Sequence, residues 1–274
     1  MKKFSRLSKC LLALSVCILA TACSKSSSDK TASNEDSSII TVGATSVPHA
    51  EILNQVVDNL AEEGITLNVK EFAEYTVLNK SLADGEVDAN FFQHIPYLDD
   101  YLKQTGDKLV SVGAIHIEPM GIYSKSVKSL DELKEGDKIA IPNDATNGSR
   151  ALLLLQDNGL ITIKEGISNP TMLDIEKNDK NFEIIEMDAA ALPRTLDDVA
   201  ISLINTNYAL EAGFSPIEDA IVLEGKDSPF ANILVVREED KDNPSIQALY
   251  NALTSDEIRD FINNKYDGAI IPTF

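Results

Sequence analysis

Apolar positions along this chain alternate between two periods, near 2 and near 3.6, and the switches mark out strands and helices. Residues 39–44 (Ile-Ile-Thr-Val-Gly-Ala) read as a strand that ends at glycine. Pro48 and His49 open a helix to about residue 63, because Ile52, Leu53, Val56, Val57 and Leu60 follow the helical period and Gly64 stops it. Residues 67–72 alternate as a second strand, 76–83 form a helix closed by Asp84-Gly85, 87–90 a short strand, and 96–104 another helix. The idiom repeats further on. Strands are expected at 138–141, 182–187, 200–203 and 233–236, and helices at 149–157, 192–197 and 207–211. A last helical stretch covers 245–263. Thr254 and Glu257 have capping-box spacing, so it reads as two helices in series. Strand followed by helix, again and again, predicts an α/β fold with mostly parallel sheets.

Two segments combine a proline with an extended apolar stretch, 115–123 and 228–233. Read as crossings, they join two α/β lobes into a clam-shell around a central cleft. The division is residues 39–122 plus 229–274 for lobe 1 and 123–228 for lobe 2. The last helical stretch is then expected on lobe 1.

The N-terminal pattern is different. Residues 1–9 carry Lys2, Lys3, Arg6 and Lys9 and no acid. Residues 10–20 are apolar apart from Ser15, and Leu19-Ala20-Thr21-Ala22 leads into Cys23. This resembles a lipoprotein signal peptide (1–22) cut before a cysteine that becomes the lipidated first residue. The apolar run is too short to span a bilayer. Residues 24–38 hold one alanine and no larger apolar group, so 23–38 is read as a flexible tether behind the lipid. Removing residues 1–22 leaves 252 residues and takes the formal charge from −20 to −24. Nucleic acid is excluded as a partner, since phosphate contacts need clustered Lys and Arg. Membrane attachment comes through the lipid alone, at roughly 0.8 kcal/mol per buried methylene. Cys10 and Cys17 leave with the leader, so the folded part has no disulfide and relies on its core.

Enzyme signatures are absent: no nucleophile elbow, phosphate loop or dinucleotide fingerprint. His49, His94 and His116 lack metal-ligand spacing, and no metal or other cofactor is expected. What remains is a set of polar and aromatic residues where strands give way to helices, the edge at which open α/β sheets bind ligands. These are Glu74-Tyr75, residues 90–97, residues 143–150, Asn205-Thr206-Asn207, and Asn232 in the second crossing. Singly, such asparagines are usually turn or cap residues. Arg150, placed in the first turn of its helix, suits a bidentate grip on a carboxylate. Asn205 and Asn232 offer amide oxygens to an ammonium, and Tyr75, Phe92, His94 and Tyr97 wall an apolar pocket that also suits a thioether. A secreted enzyme using His94 or His116 as acid or base is the rival reading, and it needs a nucleophile or metal near those rings. A surface adhesin would need an exposed aromatic patch away from the cleft.

Several stretches together resemble the NlpA lipoprotein family, the methionine-binding lipoproteins of ABC importers. They include Val47-Pro48-His49-Ala50-Glu51-Ile52, Asp88-Ala89-Asn90-Phe91-Phe92-Gln93-His94 and Glu118-Pro119-Met120-Gly121. Ile141-Pro142-Asn143-Asp144 through Asn147, Arg150-Ala151-Leu152-Leu153-Leu154-Leu155-Gln156 and Ser228-Pro229-Phe230-Ala231-Asn232 complete the set. The resemblance runs from residue 39 to 274. It implies a type II periplasmic-binding-protein fold and a monomeric receptor that binds methionine. The receptor would deliver methionine to a permease with its ATPase, from a lipid anchor on the outer face of the cell membrane. It implies Arg150 on the ligand carboxylate, Asn205 and Asn232 holding the ligand, and Tyr75, Phe92, His94 and Tyr97 as the wall. Asn147 would lie beside the arginine and His116 near the cleft. Asp144-Ala145-Thr146-Asn147 lacks the family's usual proline, and Gly148-Ser149 precede the arginine. Another small amino acid, or a methionine-containing dipeptide, is the alternative ligand.

Overall fold

A computed structural model describes residues 38–225 and 228–274; the leader, Cys23 and residues 24–37 lie outside the described residues. Strand β1 (Ser38–Ala44) buries Ile40, Val42 and Ala44. A turn at Ser46–Ala50 leads into α1 (Glu51–Gln55) and α2 (Val57–Glu62), where the period predicted one helix. Val47 is extended (φ −124°, ψ 133°) and Val56 leaves helical geometry (φ −103°, ψ 1°). The apolar stripe Ile52, Leu53, Val56 and Leu60 is buried regardless, because burial constrains the face and not each backbone angle.

Next come β2 (Ile65–Glu71), α3 (Leu78–Ala83) and β3 (Ala89–His94). The short strand expected at 87–90 runs on through Phe91, Phe92, Gln93 and His94. All four are buried, so this aromatic segment is strand and not connecting loop. Helix α4 (Ile95–Thr105) follows, closed by Gly106 at φ 75°. Then β4 (Leu109–Ile117) leads to the first crossing.

Beyond it lie β5 (Gly121–Tyr123), β6 (Lys138–Pro142) and α5 (Ala145–Asp157). A small hairpin, β7 (Thr162–Ile163) with β8 (Ile175–Lys177), precedes β9 (Glu183–Met187). Then come β10 (Ile201–Ile204), α6 (Thr206–Glu211), α7 (Pro216–Asp219) and β11 (Val222–Leu223). The chain returns as β12 (Ala231–Arg237), α8 (Pro244–Leu253), α9 (Asp256–Tyr266) and β13 (Ile271–Pro272). The last helical stretch is thus two helices. The cap is Ser255, one residue on from the expected Thr254, and its hydroxyl accepts from the Ile258 amide.

Two main sheets result. One has the order β13-β4-β12-β3-β1-β2 and the other β11-β5-β10-β6-β9. Both are mixed, not mostly parallel. β1 pairs in parallel with β2 and β3, but β12 pairs antiparallel with β3 and β4. In the second sheet β6 is parallel to β9 and β10, while β5 is antiparallel to β10 and β11. The strands that flank the crossings are the antiparallel ones, since a chain that leaves a sheet and later returns has reversed its direction. The chain leaves the first sheet after Ile117 and re-enters it at Ala231, so Gly121 and Ile122 pair in the second sheet and not in the first. Among the described residues α8 and α9 bury Ile246, Leu249, Leu253, Ile258 and Ile262 in one core with Ile40, Val42, Phe91 and Val236 of the first sheet. A separate core of Ile139, Ile141, Leu152, Leu155 and Leu203 backs the second. The architecture is a two-lobed α/β clam-shell.

Candidate functional site

A narrow cavity lies between the two sheets, lined by Tyr75, Phe92, Gln93, His94 and Tyr97 from one side and Asn147, Arg150, Asn205, Thr206 and Asn207 from the other. Glu118, just after β4, and Asn232, near the start of β12, complete the lining. Contacts bridge the two sides: the Tyr75 hydroxyl donates to Asn207 Oδ1 (2.5 Å) and the Tyr208 hydroxyl to the carbonyl of Ala73 (3.2 Å). The structure is therefore the closed form of the clam-shell.

Eight of the nine residues singled out from the sequence line this one cavity. His116 does not. It is fully buried behind it on β4, with Nε2 at 2.7 Å from Glu118 Oε1. Three aromatic rings form the apolar corner, with centroids 5.7 Å apart for Tyr75–Phe92, 5.9 Å for Tyr75–Tyr97 and 5.6 Å for Phe92–Tyr97. Burial pushes the Tyr75 hydroxyl well above its usual range, so it stays a donor.

Helix α5 starts four residues earlier than the sequence pattern suggested. Asp144 is the N-cap and accepts from the Asn147 amide at 2.8 Å. Arg150 is then the sixth helical residue, beyond the turn whose unpaired N–H groups favour an anion. Gly148 allows α5 to lie close to the preceding strand: a Cβ there would sit 2.9 Å from the Pro142 carbonyl oxygen.

Arg150 already holds a carboxylate of the protein. Its Nε donates to both oxygens of Glu224 (3.0 and 3.1 Å), and Nη2 donates to Glu224 Oε2 and, at 2.8 Å, to the carbonyl of Glu118. Its guanidinium carbon lies 4.3 Å from the Phe230 ring centroid. The bidentate edge is spent, and Nη1 alone has no protein partner among the described residues. The expected two-pronged grip on a ligand is thus reduced to one nitrogen, because Glu224 on the second crossing reaches the guanidinium first.

Hydrogen-bond polarity orients the asparagines. His94 Nδ1 accepts from the Tyr97 amide (3.2 Å), so Nε2 carries the proton and faces Asn147 Oδ1 at 3.4 Å. Asn205 Nδ2 also donates to Asn147 Oδ1 (2.9 Å), which leaves Asn205 Oδ1 buried and without a partner. Tyr75 occupies Asn207 Oδ1, which leaves Asn207 Nδ2 buried and unpartnered. His49 Nε2 lies 3.0 Å from Asn232 Oδ1 and 3.2 Å from Glu118 Oε1, so it must be a donor. The oxygen of Asn232 is therefore engaged, and its NH₂ is what remains for the cavity, the reverse of the sequence expectation. The cavity wall thus offers donors at Arg150 Nη1, Asn207 Nδ2 and Asn232 Nδ2, and acceptors at Asn205 Oδ1 and the Glu118 carboxylate.

The histidines are neutral. Burial lowers His49 to about 4 and His116 to about 3; burial and the Arg150 charge lower His94 to about 3. His49, His116 and Glu118 bring three donor atoms within 4.8 Å. Their short separations are those of hydrogen bonds, and both imidazole nitrogens facing the carboxylate carry protons that a metal would have to displace. Burial raises the Glu118 carboxyl, opposed by His49, Arg150 and the Asn207 amide.

Sequence reasoning placed Gln93, Thr206 and Asn207 in the strand-end set without giving them a role, and it gave none to Glu118, Glu224 or Phe230. Glu118 carried a readable signal, as an acid two residues from His116 at the end of an otherwise apolar strand. Glu224 carried none, since only the fold brings it to Arg150.

Known proteins are similar to this chain over most of its length. The family model described as NlpA lipoprotein matches residues 40–274. The D-methionine-binding lipoprotein MetQ of Salmonella typhi is 46% identical over 222 residues, 79% of this chain and 82% of that protein. The methionine-binding lipoprotein MetQ of Bacillus subtilis is 45% identical over 241 residues, 85% and 87% of the two chains. A nutrient binding protein from Burkholderia cenocepacia, solved bound to methionine, superposes with a TM-score of 0.82 at 46% identity, covering 86% of this chain and all (100%) of that one. On a match of this extent, the chain belongs to the NlpA lipoprotein family.

Proposed function

We propose that this protein is the substrate-binding lipoprotein of an ABC importer, and that it binds methionine in the cavity between its lobes and delivers it to a membrane permease. It is a binding component and not an enzyme. The observation that carries the reading is the cavity's composition: an aromatic corner at one end and unpartnered amide and guanidinium groups at the other. An apolar thioether fits the first and an α-amino acid backbone the second. The methionine named for its relatives supplies the ligand.

In this reading Tyr75, Phe92, His94 and Tyr97 hold the side chain. Arg150, Asn207 and Asn232 receive the carboxylate and Asn205 the ammonium, while Asn147 fixes Asn205. His116 acts from behind the wall. The lobes divide after β4 and before β12, and ligand bridging the cleft draws them together, which signals occupancy to the permease. A separate ATPase drives transport. The protein is membrane-anchored outside the cytoplasm through lipid on Cys23, as a monomer. No helix among the described residues is long and apolar enough to cross a membrane.

Calorimetric titration of the chain with the twenty amino acids, D-methionine and methionyl dipeptides tests the reading. Saturable heat with methionine is expected; heat with none of the methionine compounds refutes it. Mass spectrometry of the N-terminal peptide tests the anchor, and an unmodified Cys23 refutes it.

A further inference from the structure

Asn79, Asn90 and Gln93 bury three amide side chains inside the first lobe, at 1%, 0% and 2% exposure. They close on one another. Asn79 Nδ2 donates to Gln93 Oε1 (2.8 Å), and Gln93 Nε2 returns a bond to Asn79 Oδ1 (2.5 Å). Asn90 Nδ2 donates to the same Asn79 oxygen (2.8 Å), and Gln93 Nε2 also donates to Asn90 Oδ1 (2.9 Å). Every amide nitrogen and oxygen of the three therefore has a partner within the triad. Stability alone does not call for this. A buried hydrogen bond contributes little net free energy, and apolar residues of the same shape would serve α3 and β3 as well. What the triad fixes is an irregularity in β3. Asn90 and Gln93 are three residues apart, and in an unbroken strand they point to opposite faces of the sheet. Here their side chains bond to each other. The pairing with β12 gives the reason: Phe91 lies opposite Leu234 and Gln93 opposite Ile233, so Phe92 is an extra residue, a β-bulge.

Past a bulge every side chain of a strand changes face. Phe91, before it, packs in the core beneath α1 and α9. Phe92 and His94, at and after it, line the cavity, and His94 Nδ1 accepts from the Tyr97 amide at the start of α4. Asn79 ties in the fourth ring, because α3 follows directly on the short turn Tyr75–Val77. We propose that Asn79 and Asn90 are positioning residues: the amide triad holds the bulge at Phe92, and the bulge sets where the rings of Tyr75, Phe92, His94 and Tyr97 stand. Neither asparagine lines the cavity. The physical device is a penalty on the other register. A β3 without the bulge would turn Gln93 to the face of Phe91, and its buried amide would lose every partner it has in the triad. This rests on the methionine-receptor reading given above and adds to it residues that act only through the aromatic corner.

The test uses the full chain purified in detergent and two probes, L-methionine and L-2-aminobutyrate, which keeps the amino-acid backbone but lacks the sulfur and its methyl. Asn79→Leu replaces the hub of the triad by an apolar side chain of similar size and leaves the Asn90–Gln93 bond in place. Calorimetry should show methionine weakened about tenfold and 2-aminobutyrate, measured by competition, changed by less than about twofold. The same substitution in a Phe92→Ala background should cost methionine less than about twofold, because the ring through which Asn79 acts is gone. Asn90→Leu repeats the cycle from the strand side. Unchanged methionine affinity in the folded variants overturns the proposal, as do equal losses for both probes or a tenfold loss that persists without Phe92; each of these leaves the receptor reading intact. If thermal melts show that neither variant folds, the triad is a requirement of folding and not a positioning device, and the proposal falls. Absence of methionine binding by the parent removes the receptor reading and the proposal with it.

Discussion

The ion pair between Arg150 and Glu224 ties helix α5 to the returning crossing, and a double-mutant cycle measures what it is worth. Arg150→Met keeps much of the side-chain volume and the contact with Phe230 but removes three hydrogen bonds to Glu224 and one to the Glu118 carbonyl. Removing one partner of a buried pair typically costs about 3–5 kcal/mol, because the other charge is stranded. Here the side-chain exposures are 4% for Arg150 and 17% for Glu224, so water can reach the stranded carboxylate and the lower end applies, about 3 kcal/mol. Glu224→Gln strands the guanidinium instead, but Nη2 keeps the Glu118 carbonyl and Glu118 itself is nearby, so about 1.5 kcal/mol is expected. The double variant should lose about 1–2 kcal/mol less than the sum of the singles. The assay is urea unfolding of the ligand-free chain followed by far-UV circular dichroism, since the protein has no tryptophan. A coupling below about 0.5 kcal/mol would mean that the pair is not what joins α5 to the crossing. Loss of Arg150 should therefore lower stability as well as ligand affinity.

Tyr75→Phe removes the donor that turns the Asn207 NH₂ into the cavity, so methionine affinity should fall about fivefold by calorimetry, for roughly 1 kcal/mol of hydrogen bond; unchanged affinity refutes that role. Asn232→Ala takes away a ligand donor and the acceptor of His49, and should weaken binding by about 1–3 kcal/mol; a smaller loss in the same titration would place the asparagine outside the contact set. Acid should destabilise the protein between about pH 6.5 and 4. Over that window the unfolded chain protonates its three histidines while the folded one, with them lowered to about 4, 3 and 3, does not, at about 1.4 kcal/mol per pH unit for each ring. Glu118 opposes this at the lower end, since its raised carboxyl takes up a proton in the folded state first. Urea midpoints at pH 7 and pH 5 that coincide would contradict the buried-neutral assignment.

Local pattern determined most of the elements. Val42 and Ile40 alternate into the core of β1, and Ile246, Leu249 and Leu253 recur on one face of α8, because a residue's burial follows from its place in a repeating backbone. Even the candidate site was legible as a set of positions, for strand ends are where an α/β sheet exposes polar groups. What the pattern did not contain was which polar atom meets which. Tyr75 and Asn207 are 132 residues apart and Arg150 and Glu224 are 74 apart, and no period connects them. A hydrophobic side chain is satisfied by any close-packed neighbour, so its fate can be read from periodicity alone. A buried amide or carboxylate needs a partner of the right polarity at hydrogen-bond distance. Only the folded chain decided that Asn205 shows its oxygen and that Asn207 and Asn232 show their nitrogens.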